Sequence, residues 1–192
     1  MRSTTLVGLP LALAAGYFGF KWALSGLVNA ERVVALGGMY HWSALTLLAL
    51  GWSAWMIRKR KSTNTFWGDF KQLTQPLALY AIVASCCVWG WNHVVALEAT
   101  ELRKALRLAQ IEEHTSSPEA YAAFVQEQGA ETMAELPDRD TYRKQATSQV
   151  HWMLSGGVTL VLALITYLFA AVLLSLCATV LLHQIWGIAT LG

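Results

Sequence analysis

The chain has 192 residues, of which 55% are hydrophobic and only 14% are charged, and its formal net charge is +2. This composition is too apolar for a water-soluble domain of the same length, and it excludes a large multidomain receptor. Nothing in the charge pattern indicates binding to nucleic acid. The sequence therefore predicts a single membrane domain, residues 1–192, with the lipid bilayer as its immediate partner.

Four segments of the chain are apolar over the length that a membrane span requires. A helix needs roughly 20 apolar residues to cross about 30 Å of hydrocarbon. We predict spans at about 5–27, 39–57, 76–97 and 153–186. Continuous apolar runs favour helices over the alternating strands of a barrel, because backbone groups in lipid must bond within their own segment. The predicted fold class is an all-α polytopic membrane protein with four transmembrane helices and a small helical periplasmic insert.

The distribution of basic residues predicts the orientation. A basic cluster follows the second span, and its members are Arg58, Lys59, Arg60 and Lys61. Lys and Arg concentrate in cytoplasmic loops, so we expect the loop 58–75 in the cytoplasm of a bacterial inner membrane. Both termini would then be cytoplasmic and the insert 98–150, with ten acidic and six basic residues, periplasmic. Lys21, within the first span, is expected to snorkel to the membrane surface.

The cytoplasmic loop contains a second pattern, because Phe66, Phe70 and Leu73 repeat at helical spacing. This repeat predicts a short interfacial helix before the third span, with Pro76 in the first turn of that span. Aromatic and basic side chains are typical of the headgroup region. Besides the basic cluster, the residues that we expect at the membrane interface are Phe66, Trp67, Phe70, Lys71, Trp42, Trp91 and Trp152.

The insert is predicted to be helical. An apolar stripe should continue the third span outward, and it consists of Leu102, Ala105, Leu106 and Ala109. A second helix is expected to begin near Pro118 and to end near Gly129. A third should begin near Pro137 and Asp138 and continue straight into the fourth span.

Histidine stands beside tryptophan at three places. At about 1.5 Å per residue, His41 and His93 each lie roughly 26 Å above the cytoplasmic ends of their spans, so they share a level. His151 lies about 48 Å above His183 unless Gly156–Gly157 breaks the helix, which disfavours a three-histidine zinc site. An interfacial belt of tryptophan and histidine is the favoured interpretation. A haem bound by His41 and His93 is the alternative.

Small residues at i, i+4 indicate close helix packing, and the pairs are Ala12/Gly16, Ala15/Gly19, Ala49/Ser53, Ala81/Ser85 and Ala171/Ser175. The sequence carries no catalytic, phosphate-binding or metal motif, so we expect no enzyme and no cofactor. The predicted function is an accessory or structural subunit that binds other inner-membrane proteins or itself. A small channel or transporter, with a path near Ser85, Asn92 and His93, is the first alternative. A haem-binding redox subunit is the second.

The order of these parts resembles a known family. A second span ends in the basic cluster, a Phe-x3-Phe-Lys element follows at Phe66, Phe70 and Lys71, and an acidic helical insert precedes a long final span. In this order, over most of the chain, the sequence resembles small four-span bacterial inner-membrane proteins catalogued only as a domain of unknown function. The resemblance implies the topology and the membrane, and it implies no activity, cofactor or substrate.

Overall fold

The computed structural model describes residues 3–28, 30–59, 65–128 and 138–189. Within these ranges every regular element is helical and no strand occurs, which confirms the predicted all-α class for this part of the chain. In chain order the elements are α1 (Ser3–Ser25), α2 (Ala30–Lys59), α3 (Phe66–Gly90), a π-helical turn (Trp91–Val95), α4 (Leu97–Thr115), α5 (Pro118–Gln128), α6 (Arg139–Met153) and α7 (Gly156–Ala189).

Four of the described segments are long and apolar enough to cross a membrane, as the sequence predicts. They are Val7–Ser25, Arg32–Lys59, Phe66–Val95 and Gly156–Gln184. The second and third begin several residues before the spans that hydropathy alone suggests, because the helices continue into polar sequence. This architecture is compatible with a multi-pass membrane protein.

The third helix differs from the prediction at its beginning. Phe66–Gly90 is one continuous helix with Pro76 inside it, so the expected interfacial helix is the first part of the third span. Asp69 and Leu73 on this part are buried, whereas Lys71 is exposed. Pro76 removes one backbone hydrogen bond from the helix. Packing of the buried face nevertheless holds the segment to the bundle as part of the same helix.

The chain, predicted as one domain, forms two compact units. The bundle unit comprises Met1–Gly90 and Leu160–Gly192, and the insert unit comprises Trp91–Thr159. In the bundle unit, α1, α2 and α3 pack closely on one another. In the insert unit, α4 packs against α5 and α6.

Small residues let the helices of the bundle unit approach one another. Members of the predicted small-residue pairs are buried inside the bundle, namely Ala49, Ala81, Ser85, Ala171 and Ser175. On α1, a Cβ at Gly16 would lie 2.6 Å from Tyr40 Oη. These residues therefore serve contacts within the chain. Ala12, Ala15 and Gly19 on α1 are exposed, and the prediction that small-residue faces bind a partner stays a prediction.

The insert unit has three helices in its described part, as predicted, but α6 does not continue into the last span. It ends at Met153, and α7 begins at Gly156 after a two-residue break. Ser155 Oγ accepts a hydrogen bond from the amide of Val158, and Gly156 is a weak helix former, so the sequence favours a new helix start here. Gly129 and Pro137, predicted as helix boundaries, lie outside the described residues.

Candidate functional site

His41 lies at the centre of the bundle unit. Its side chain is fully buried (0% exposed), and its Nδ1 is 2.8 Å from Tyr80 Oη. The ring centroids of Tyr17 and Tyr167 lie 4.2 Å and 5.0 Å from the centroid of the imidazole. An imidazole is thus enclosed by phenol rings from α1, α3 and α7, where we expected a histidine at the membrane interface.

Lys21 is also buried, which corrects the prediction that it snorkels. Only 2% of the residue is exposed, and Nζ lies 5.3 Å from the centroid of the Tyr17 ring, a cation–π distance. Gly37 on α2 makes room for it, because a Cβ there would lie 3.0 Å from Lys21 Cε. We refer to Tyr17, Lys21, His41, Tyr80 and Tyr167 as the His41 cluster.

One atom of the His41 cluster lacks a partner. Among buried side-chain nitrogen and oxygen atoms of the described residues, His41 Nε2 and Trp52 Nε1 make no hydrogen bond. A buried polar atom without a partner costs about 1–3 kcal/mol of folding free energy. His41 Nε2 therefore combines a stability cost with chemical availability, a combination common at functional positions in membranes.

A row of residues, buried except for the partly exposed His183, follows α7 away from the His41 cluster. It repeats every four residues, so its members share one side of the helix, and they are Tyr167, Ala171, Ser175, Thr179 and His183. The hydroxyls of Ser175 and Thr179 donate to the carbonyl oxygens of Ala171 and Ser175, both at 2.7 Å. We call this set the α7 row. At about 1.5 Å per residue it spans about 24 Å, most of the thickness of a bilayer's hydrocarbon core.

The α7 row ends at a contact between an imidazole and a carboxyl group. His183 Nε2 lies 3.1 Å from Asp69 Oδ2 on α3, and the Asp69 side chain is 2% exposed. The Phe66 ring lies against the imidazole, with the centroids 5.4 Å apart. A carboxylate inside a membrane-spanning helix is expensive and marks ion or proton pathways by default. The bundle unit therefore holds ionisable side chains at both ends of the α7 row.

His93, the second predicted haem ligand, belongs to the insert unit. It follows Trp91 and Asn92 in the π-helical turn, and its Nε2 is 3.1 Å from Thr159 Oγ1. Arg103 donates to Asn92 Oδ1 at 3.3 Å and to Thr100 Oγ1 at 3.2 Å. The turn is thus held by a local network of polar side chains.

The haem alternative gains no support from these contacts. His41 and His93 belong to different units, and each imidazole already has a hydrogen-bond partner in its own unit. A porphyrin on His41 would have to displace the phenol rings of Tyr17 and Tyr167. Within the described residues, no three His, Cys, Asp or Glu side chains form a group that could hold a metal ion.

The residues predicted at the membrane interface differ in exposure. Exposed members are Arg58, Lys59, Trp67, Lys71, Trp42 and Trp152. Phe66 and Phe70 are partly buried, and Trp91 is buried. Arg60 and Lys61 lie outside the described residues. Position in the membrane remains a prediction for all of these side chains.

The sequence did not predict that the other polar residues of the bundle interior are buried. The sequence pattern places Asp69 on the polar side of the predicted interfacial helix, and it places Lys21 at the membrane surface. Tyr17 and Tyr80 gave no signal, because single tyrosines in apolar helices are common. The four-residue spacing of Tyr167, Ser175, Thr179 and His183 was readable, and it is the pattern that could have revealed the row.

Comparison of the chain with family models, curated proteins and solved structures gave no match. The resemblance to a four-span family stays a prediction.

Proposed function

We propose that this protein moves protons, or a small solute coupled to protons, across the membrane through the interior of its four-helix bundle. This is the channel or transporter alternative of the sequence analysis, with a different path. The α7 row is the observation that carries it, because the row runs along one side of α7 from Tyr167 of the His41 cluster to His183 of the Asp69–His183 pair. Chains of Asp, Glu and His side chains form the proton relays of membrane pumps and transporters.

Burial supports this proposal over a purely structural role. Lys21, His41 and Asp69 are each 2% exposed or less within helices that are long and apolar enough to span a membrane. Burying an ionisable group, even with a partner, costs more than packing apolar residues of similar volume at the same positions. A proton pathway gives a physical reason for keeping them.

Proton flux into vesicles tests the proposal. The purified protein is reconstituted into liposomes that contain a pH-sensitive dye, and a potassium diffusion potential drives protons inward. We expect flux above that of protein-free vesicles, and a loss of about tenfold in Asp69→Asn, equivalent to about 1.4 kcal/mol in the barrier. Lys71→Gln, an exposed position on the same helix, should retain the flux. The control is run under either polarity and with no solute added. Simple proton conduction is ruled out if wild-type vesicles then conduct no better than lipid alone.

A solute-coupled protein needs a second arm of the same experiment. Vesicles are loaded with one class of small solute at a time. The pH-sensitive dye is followed while each solute moves down its concentration gradient. Acidification that depends on one solute class and on Asp69 supports coupled transport. Vesicles silent toward protons and toward every solute class would contradict the proposal.

The insert unit favours a second function, the accessory role predicted from the sequence. Leu102 and Leu106 on α4 are 61% and 57% exposed, so the predicted apolar stripe is not covered within its own unit. Exposed apolar stripes of this kind occur where proteins bind partners or membranes. Purification in mild detergent, followed by mass analysis, should recover a stoichiometric partner that Leu102→Ser/Leu106→Ser loses. Gln145→Ser, at an exposed polar position on α6, is the matched control.

A further inference from the structure

His41 differs from the other ionisable groups of the bundle by its unused nitrogen. Nδ1 lies against Tyr80 Oη, whereas Nε2 is fully buried without a hydrogen-bond partner. The side chain is therefore held in a fixed orientation by one nitrogen and keeps the other nitrogen for a ligand. The smallest ligand that fits among closely packed rings is a proton.

The groups that surround the imidazole come from every helix packed against it. In the described residues, Tyr17 of α1, Tyr40 of α2, Tyr80 of α3 and Tyr167 of α7 pack against the imidazole, and Lys21 and Cys87 lie next to these tyrosines. Tyrosine and cysteine are neutral near pH 7, so Lys21 supplies the formal charge of this set. Its ammonium and the imidazole both contact the ring of Tyr17.

We propose that His41 is the residue that carries the transported proton inside the bundle, and that Nε2 is the atom that takes it up. This inference rests on the proposed function. With the neutral imidazole protonated at Nδ1, that N–H donates to Tyr80 Oη, and Nε2 offers its lone pair. Protonation forms one N–H bond at Nε2 and gives an imidazolium, and release breaks the same bond. The contact with Tyr80 is kept in both states.

Lys21 is the charged neighbour of the proton that we assign to His41. Its ammonium lies over the Tyr17 ring, and the same ring packs against the imidazole. Removing the charge of Lys21 should therefore alter proton uptake at Nε2, because charges interact strongly in a medium of low dielectric constant.

Nuclear magnetic resonance of the whole protein in lipid bilayers tests the proton uptake. Histidine side-chain nitrogens are labelled with ¹⁵N and followed between about pH 4 and pH 8, the range in which imidazoles titrate. The His41 signals are assigned by their loss in His41→Gln. We expect Nε2 to become protonated within this range, and Lys21→Met to shift the midpoint of that titration. Lys104→Met, which removes a charge from α4, should leave the midpoint unchanged.

The wild-type titration decides the inference even where a variant does not fold. A His41 that keeps one neutral tautomer over the whole range, in the wild type and in Lys21→Met, overturns it.

Proton flux separates this inference from the proposed function. Flux that persists in folded His41→Gln overturns the role of His41 and leaves the function standing. Absence of both proton and coupled flux in the wild type overturns the function together with the transport role of His41. Loss of flux in His41→Gln but not in His151→Gln, an exposed histidine, supports both.

Discussion

Asp69 on α3 and His183 on α7 are 114 positions apart in the chain, and their side chains meet at 3.1 Å between Oδ2 and Nε2. The contact ties the first turn of the third span to the last part of the fourth. It pairs a buried carboxylate with an imidazole that is about one-third exposed. One interaction thus joins two spans and closes one end of the α7 row.

We first predict that Asp69 and His183 are energetically coupled. Asp69→Asn and His183→Gln should each lower the free energy of unfolding by about 1.5 kcal/mol, because each weakens a hydrogen bond to a charged group and one partner is partly exposed. The double variant should lose less than the two single losses together, by about 0.5–1 kcal/mol. Reversible unfolding in mixed detergent micelles measures the cycle. Strict additivity would mean that the contact contributes nothing, and Lys71→Gln should change stability by less than about 0.5 kcal/mol.

A second prediction concerns the close approach of α1 and α2. Gly16→Ala places a Cβ 2.6 Å from Tyr40 Oη, whose hydroxyl donates to the carbonyl of Leu13 at 2.7 Å. We expect the variant to be less stable than Gly19→Ala by about 1–3 kcal/mol, because overpacking opposes the helix propensity that both substitutions gain. Gly19 has no atom within 4 Å of its Cβ position and is the matched control. Unfolding free energies of the two variants are compared.

The same contact offers a rescue. Gly16→Ala combined with Tyr40→Phe should recover part of the loss, since the phenyl ring lacks the oxygen that meets the new methyl group. A double variant less stable than either single variant would contradict this account.

Third, Tyr80→Phe should destabilise the bundle by about 1–3 kcal/mol. His41 Nε2 already lacks a hydrogen-bond partner, and the substitution removes the partner of Nδ1 too. The double variant His41→Phe/Tyr80→Phe should cost less than Tyr80→Phe alone, since apolar groups of similar shape replace both partners. Thr46→Val on the exposed side of α2 is the control and should change stability by less than about 0.5 kcal/mol. A Tyr80→Phe variant as stable as the wild type would argue against the hydrogen bond.

The fourth prediction is a pH dependence at the start of α6. Asp138 caps this helix, and hydrogen bonds from the side chain and amide of Thr141 lower the pKa of its carboxyl below the ordinary value. A lowered native pKa means that the stabilisation is complete above the unfolded pKa, about 3.9, and is lost as the pH falls through the native value. Hydrogen exchange should show the amides of Asp140 and Thr141 protected above pH 5 and opened at lower pH.

Substitutions at the cap separate charge from hydrogen bonding. Asp138→Ala should open these amides at every pH, and Asp138→Asn should retain protection without the acid-dependent loss. Equal protection in the wild type and Asp138→Ala above pH 5 would show that the cap does not hold the end of α6. Glu101→Gln on α4 is an exposed carboxylate control.

Some features of the fold were accessible from the sequence because they depend on local pattern. Long apolar runs predicted the four candidate spans, and the cap at Asp138 and the proline at Pro118 placed the beginnings of α6 and α5. The break before Gly156 enters the sequence analysis only as an exception to a continuous helix, although Ser155 and two glycines stand there. The strong hydropathy of the segment that follows masks the helix-breaking effect of Ser155 and the two glycines.

The amino-acid sequence by itself determined that the described chain is helical and carries four segments fit for a membrane, since hydropathy and helical length are properties of contiguous residues. Only the tertiary structure decided that Lys21, His41 and Asp69 lie inside the bundle. Their burial depends on partners from other helices, such as Tyr17 for Lys21, Tyr80 for His41 and His183 for Asp69. From sequence alone, a polar residue at the edge of an apolar segment is predicted to lie at the membrane interface. Its burial becomes favourable only when a partner from another helix offsets the cost, and local sequence does not contain that contact.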